Sequence, residues 1–311
     1  MSAVAVPAPP ADLLAALGDV AVGLDPWTGR VGPRDLTAES RQELRLVLIG
    51  AMYEVFHAGR AEEKDLGRIV RERDVEDVLL GAVPHPTSPR RARVLRRDAH
   101  AAVVDFGDVR VEVPDHLLPA ETPLGELAVL ELPAARPALS HGFLLIDGPL
   151  GMTSGTTPLR RLYVHTPAPE AAADVWRVVL ETLNDARVPY RSKTLSHRDG
   201  YPRRDSIVVY LPAEVSAVTD HVAEALRDHA GISPDTSAYA HRIAPGIAIA
   251  DEPQDVRTQY RELSFGEHRS AVAVNALLRH AEDPDTPLAD LFVEECLDAR
   301  VDPADPAFNL T

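Results

Sequence analysis

The chain has 311 residues, 45% of them apolar and 26% charged, the values of an ordinary globular protein, which excludes a wholly disordered or fibrous chain. Its 48 acidic against 32 basic residues give a net charge of −16, a field that repels nucleic-acid phosphates and anionic lipid surfaces, so neither nucleic acid nor a membrane is expected as a partner. Cys296 is the single cysteine, which excludes an intramolecular disulfide, a thiolate zinc cluster and iron–sulfur ligation.

The first ten residues are rich in Ala and Pro and are expected to be frayed or extended. They lack a basic n-region and a long apolar stretch, and no later run reaches membrane-spanning length, so a reducing cytoplasm is the expected setting. From Thr37 to Gly59, Leu44, Leu46, Val47, Leu48, Met52, Val55 and Phe56 fall near helical spacing, with Thr37 as N-cap and Gly59 as stop. The basic, Pro-interrupted segment 85–98 reads as a solvated loop. The period then changes to 2: 100–113 reads as two strands turning at Gly107-Asp108, and 125–132 and 141–148 as two more, together an antiparallel meander.

The Gly/Thr/Pro-rich stretch 148–158 divides the chain into a helical and β-meander part, 1–150, and a second part, 151–311. That stretch lacks the Gly-Lys-Ser/Thr ending of a nucleotide loop. In the second part 159–165 alternates as a strand, 168–187 is an amphipathic helix, and 188–195 and 204–211 are strands. A helix over 213–231 and a Pro-broken strand at 241–250 follow. The order β-α-β-β-α-β predicts an α+β fold of antiparallel sheets with helices on one face. A helix over 264–283 opens with a Ser264/Glu267 capping box, and a last helix covers 287–300.

Cationic and hydroxyl groups gather in this second part against the acidic average. The only lysines in the chain are Lys64 and Lys193, and Lys193 falls among Arg191, His197, Arg198, Arg203 and Arg204. Guanidinium forks match a phosphate dianion, and a lysine among cations is a usable general base because desolvation and like charge both favour its neutral form. Strand alternation puts Arg161, Tyr163 and His165 on one face. It sets Asp205 among apolar neighbours, where a carboxylate wants a cationic partner: it either pairs with an arginine and orients it or ends the sheet in water. The twelve histidines contain no HExxH or HxH pair, so no metal centre is expected.

The runs R-x-Y-x-H (161–165), PYRSK (189–193), RRDSIVVY (203–210), GIAIADEP (246–253) and SFGEHR (264–269), spread over roughly 141–281, resemble the HopA-type family, named for a plant-pathogen type III effector. They look most like actinobacterial members encoded beside lanthipeptide and thioamitide precursors. The resemblance implies a phosphoserine/phosphothreonine lyase without metal or organic cofactor. It would act on a precursor peptide phosphorylated by a separate Ser/Thr kinase of aminoglycoside-phosphotransferase type and leave dehydroalanine or dehydrobutyrine. The chemistry of the residues fits independently: β-elimination needs a base at Cα, cations for the phosphate and a donor at the leaving oxygen. The expectation is Lys193 as base, with Tyr163, His165 and His197 as the other catalytic candidates and Arg161, Arg191, Arg204 and Arg269 as phosphate ligands. The alternative is a non-catalytic adaptor that binds a partner kinase or a leader peptide through a sheet edge.

Overall fold

A computed structural model of the chain describes residues 8–62, 71–107, 109–120, 122–152 and 157–310. Lys64, Asp108 of the predicted turn, residues 153–156 of the predicted loop and the first seven residues lie outside that set.

The chain opens with helix α1 (Ala11–Gly18) and a three-stranded antiparallel sheet, β1 (Ala21–Leu24), β2 (Trp27–Val31) and β3 (Arg34–Thr37). Thr37 therefore ends a strand. The N-cap of the next helix, α2 (Arg41–Met52), is Ser40, whose hydroxyl accepts from the Glu43 N–H. Helix α2 continues into a π-helical turn, Tyr53–Ala58, and the predicted stop holds: Gly59 takes φ 78°, the left-handed C-terminal conformation. Helix α3 (Arg73–Leu80) follows.

Segment 85–98 is a strand, β4 (Thr87–Arg97), and the loop reading is corrected. Ser88, Ala92 and Val94 are buried in alternation with exposed arginines, a period-2 pattern hidden by the small size of two of the buried residues. Pro89 lies where only β7 pairs, ahead of the β4–β5 ladder that begins at Arg93, and so tolerates its missing N–H. With β5 (Ala101–Asp105), β6 (Arg110–Pro114) and β7 (Leu127–Pro133) it forms a four-stranded sheet in the order β6-β5-β4-β7. The predicted strand at 141–148 does not join this sheet.

That strand belongs to a larger, seven-stranded sheet. Its members are β8 (Ala135–Ser140), β9 (Phe143–Asp147), β10 (Leu159–Thr166), β11 (Arg191–Leu195), β12 (Arg203–Pro212), β13 (His241–Ala244) and β14 (Ile247–Asp251). They stand in the order β13-β14-β10-β12-β11-β9-β8 and every pairing is antiparallel. The predicted Pro-broken strand is the β13–β14 hairpin.

Helices α4 (Pro169–Asp185) and α5 (Val218–Ala225) share one face of this sheet, where Val175, Trp176, Val179 and Leu183 of α4 pack on Leu162, Val164, Ile207 and Val209. The opposite face carries the next residues of the same strands: Tyr163, Val208 and Ala250 lie under α2 and α6 (Phe265–Glu282) in a second core that also takes in α7 (Leu288–Asp298). The Ser264/Glu267 capping box of α6 is present with both hydrogen bonds. Among the described residues no helix is long and apolar enough to cross a membrane.

Candidate functional site

Helices α2 and α6 cover only part of the second face, and beyond them the sheet is open. A cavity of 340 Å³ lies there, walled by Lys193 and Arg191 of β11, Tyr210 of β12, Leu145 of β9, Met152, and Glu252 just past β14. Pairing explains why these side chains converge. Tyr210 is opposite both Arg161 and Arg191, Lys193 is opposite Val208 and Leu145, and Arg191 is opposite Asp147, so all project to one face.

Lys193 is half-buried, with Nζ 4.3 Å from the centre of the Phe143 ring and 5.8 Å from that of Tyr210. Among the described residues it makes no ion pair, and two aromatic faces hold it in place of a carboxylate. Arg161 is buried below the cavity. Its guanidinium forms a fork on the Glu252 carboxylate, with Nη2 2.6 Å from Oε1, and lies 4.9 Å from the Tyr210 ring centre. It therefore orients Glu252 and Tyr210 more directly than it presents a free cation. Arg191 gives Nε to the fully buried Asp147 at 2.7 Å, and its guanidinium makes no other hydrogen bond among the described residues.

The other predicted residues are not brought to this cavity. Tyr163 is core: it packs on Phe265 and His57, and burial raises its phenol well above the usual range despite the neighbouring Arg161. His165 lies at the far end of β10, where its Nδ1 faces the Asp235 carbonyl at 3.1 Å, and burial lowers its pKa. His197 follows the end of β11, tucked against Gly142 and Gly200, and burial lowers it too. Arg204 donates through Nη1 to the carbonyls of Val55 and Phe56, both at 3.3 Å, and so caps the π-helical turn.

Arg269 is 2% exposed and tied to the C-terminal stretch, with Nε on the Pro306 carbonyl at 2.5 Å and Nη2 on Asn309 Oδ1 at 3.2 Å. Burial lowers its pKa to about 10. The cationic run in the sequence thus divides among separate structural tasks, and β12 carries an irregularity between its pairings to Val164 and Thr166.

The partner expected for Asp205 is present: Arg203 clasps it with two bonds of 2.7 Å, and His57 Nε2 lies 3.6 Å away. Sequence reasoning missed Glu252, Phe143 and, above all, Asp147. This buried carboxylate meets Arg191, Arg136 at 3.2 Å and Arg90 at 3.7 Å. The signal was available: Asp147 ends an otherwise apolar strand, the argument that was applied to Asp205 alone.

A seven-stranded antiparallel sheet with helices on both faces, and a cavity walled by Lys193, Arg191, Tyr210 and Glu252 on its open part, defines an α+β protein. The chain belongs to the HopA1 effector protein family, whose profile matches residues 134–308. Its fold is similar to that of an effector protein from Pseudomonas syringae pv. tomato strain DC3000, at 14% identity and a TM-score of 0.50 over 88% of this chain and 91% of that one. An effector protein from Pseudomonas syringae pv. syringae strain 61 matches at 14% identity and a TM-score of 0.46, over 86% of this chain and 98% of that one. No curated protein matches the chain.

Proposed function

We propose that the chain is a phosphoserine/phosphothreonine lyase acting on a peptide phosphorylated by a separate Ser/Thr kinase of aminoglycoside-phosphotransferase type. The observation that carries this reading is the placing of Lys193, Arg191 and Tyr210 around one cavity, with Lys193 held by rings rather than by a carboxylate. Elimination needs a base that can give up its own proton beforehand, which an arginine cannot do and a lysine can.

Neutral Lys193 removes the Cα proton, the C–H electron pair forms the Cα=Cβ bond, and the Cβ–O bond breaks with its electrons on the departing phosphate. Arg191 balances charge on the phosphate, and the Tyr210 hydroxyl donates to the leaving oxygen, the acid role expected of Tyr163, His165 or His197. Arg161 acts through Glu252 and Tyr210 as a positioning residue. The step is redox neutral and leaves dehydroalanine from phosphoserine and dehydrobutyrine from phosphothreonine.

The test is mass spectrometry after incubation with a pooled library of phosphoserine and phosphothreonine peptides. Elimination yields products one water lighter than the unphosphorylated peptides, whereas hydrolysis restores the unphosphorylated mass. Lys193→Ala and Lys193→Arg are both expected to slow elimination by about 10²- to 10⁴-fold, the usual contribution of a general base. An active arginine variant would remove Lys193 from that role, and an unchanged library would remove the lyase reading.

A further inference from the structure

A second cavity, of 590 Å³, adjoins the first and shares Arg191 as a wall. It lies between the four-stranded sheet and β8. Its floor is cationic: Arg90, Arg136 and Arg191 converge on Asp147, whose two oxygens are both engaged, Oδ1 by Arg191 and Oδ2 by Arg136 and Arg90. Three guanidiniums thus share one carboxylate, and Nη2 of Arg136 is buried with no hydrogen-bond partner among the described residues. Its walls are apolar, formed by Phe106, Val109, Val111 and Leu139 among others, and 54% of Val109 and 63% of Leu139 are exposed. Apolar surface beside surplus positive charge wants a ligand that is both apolar and anionic.

The backbone adds a shape to that chemistry. Among the described residues β6 pairs only with β5 and stands at the edge of its sheet, and β8 pairs only with β9 and stands at the edge of the other. Both edges contribute to the cavity, β6 through Val111 and Val113 and β8 through Arg136 and Leu139. A strand edge offers unpaired N–H and C=O groups that an extended peptide can meet, with alternate side chains entering the groove.

We propose that this groove binds an extended peptide segment carrying an Asp or Glu side chain flanked by apolar residues. The carboxylate meets Arg136 and Arg90, and the apolar neighbours lie on Val109, Val111 and Leu139. That the segment belongs to the same chain as the phosphorylated residue rests on the lyase reading; the binding itself does not.

The experiment is selection of a random 12-residue peptide library against the full chain, followed by affinity measurement on the winners. Enriched peptides are expected to share an acidic residue between apolar ones, to weaken about tenfold when that residue becomes its amide, and to weaken further with salt. Arg136→Ala is expected to weaken them about tenfold. Because Arg136 also meets buried Asp147, the exposed-wall variant Leu139→Glu is the companion: it leaves the core untouched, repels an acidic peptide and is expected to lose binding as strongly.

Absence of enrichment, winners without an acidic residue, or winners indifferent to both variants would each overturn the groove. The lyase reading fails separately. A chain that eliminates phosphate but selects no acidic peptide refutes the groove alone, and one that selects such peptides yet eliminates nothing refutes the lyase alone. When a winner is extended by a phosphothreonine, Leu139→Glu is expected to raise KM with kcat held.

Discussion

His57 bonds Ser237 Oγ through Nδ1 at 2.9 Å and faces Asp205 through Nε2, wholly inside the protein. Burial lowers its pKa to about 4, against the opposing pull of Asp205. His268, between Asp255 and Arg269, is lowered to about 4 by burial and then by Arg269. Both are neutral in the fold, while in the unfolded chain they charge near their ordinary value of 6.5. Between about pH 6.5 and 4 the unfolded chain therefore binds more protons, and stability is complete above that window and falls as pH drops through it. The loss per histidine is up to about 3 kcal/mol.

Asp205 does not confound this window. Burial raises its carboxyl, but the Arg203 ion pair outweighs burial and holds it well below the usual carboxylate range, so its contribution is lost only at lower pH. Urea unfolding at pH 7.5, 5.5 and 4.5 measures the slope, to which His165 and His197, also lowered by burial, contribute, and His57→Gln is expected to reduce it. A variant with the wild-type slope would mean that His57 is charged in the fold.

At the scale of elements, the π-helical turn and α6 meet in a close joint of the second core. A Cβ built on Gly266 would lie 2.3 Å from the His57 ring and 2.8 Å from that of Tyr53. Alanine is the better helix former by about 1 kcal/mol, but overpacking a core costs about 1 to 3 kcal/mol, and here packing wins. Gly266→Ala is expected to lower the urea midpoint, whereas Gly50→Ala in α2, where a Cβ meets nothing within 4 Å, is expected to raise it.

The same element scale shows what the sequence made legible. The α+β class with antiparallel strands, the α6 capping box and the Gly59 stop are local signals, carried by spacing and by single residues such as Ser264. β4 and β8 were not legible as strands, because Pro89 and Pro137 sit inside them and their partners lie far along the chain. Of the site, Lys193 and Arg191 could be found from composition and strand period. Glu252, Arg136 and Arg90 could not, since pairing across sheets, rather than neighbourhood in sequence, brings them to Tyr210 and Asp147.

For the whole molecule, the stretch from Val301 to Leu310 ties the α6 core to the cavity. Asn309 accepts from Arg269 and donates to the Glu252 carbonyl at 2.7 Å, and Ala307 accepts from the Asp251 N–H at 2.9 Å. The two bonds of Asn309 thus join a buried arginine in a helix to the residue that clasps Arg161. Asn309→Ala is expected to cost about 1 to 3 kcal/mol in urea unfolding, the range for stranding a buried polar group. It is also expected to lower elimination through loss of order at Glu252. Unchanged stability would show that the tail is not held through this residue.

Arg191 borders both cavities, and a shared wall has a thermodynamic corollary. Any ligand that shifts this guanidinium in one cavity changes the free energy of filling the other, and the change is reciprocal: if a groove peptide tightens phosphate binding by some factor, phosphate tightens the peptide by the same factor. Titrating each ligand in the presence and absence of the other closes a cycle in which the two coupling energies must be equal. Replacing Arg191 uncouples the two cavities, so the two affinities become independent quantities.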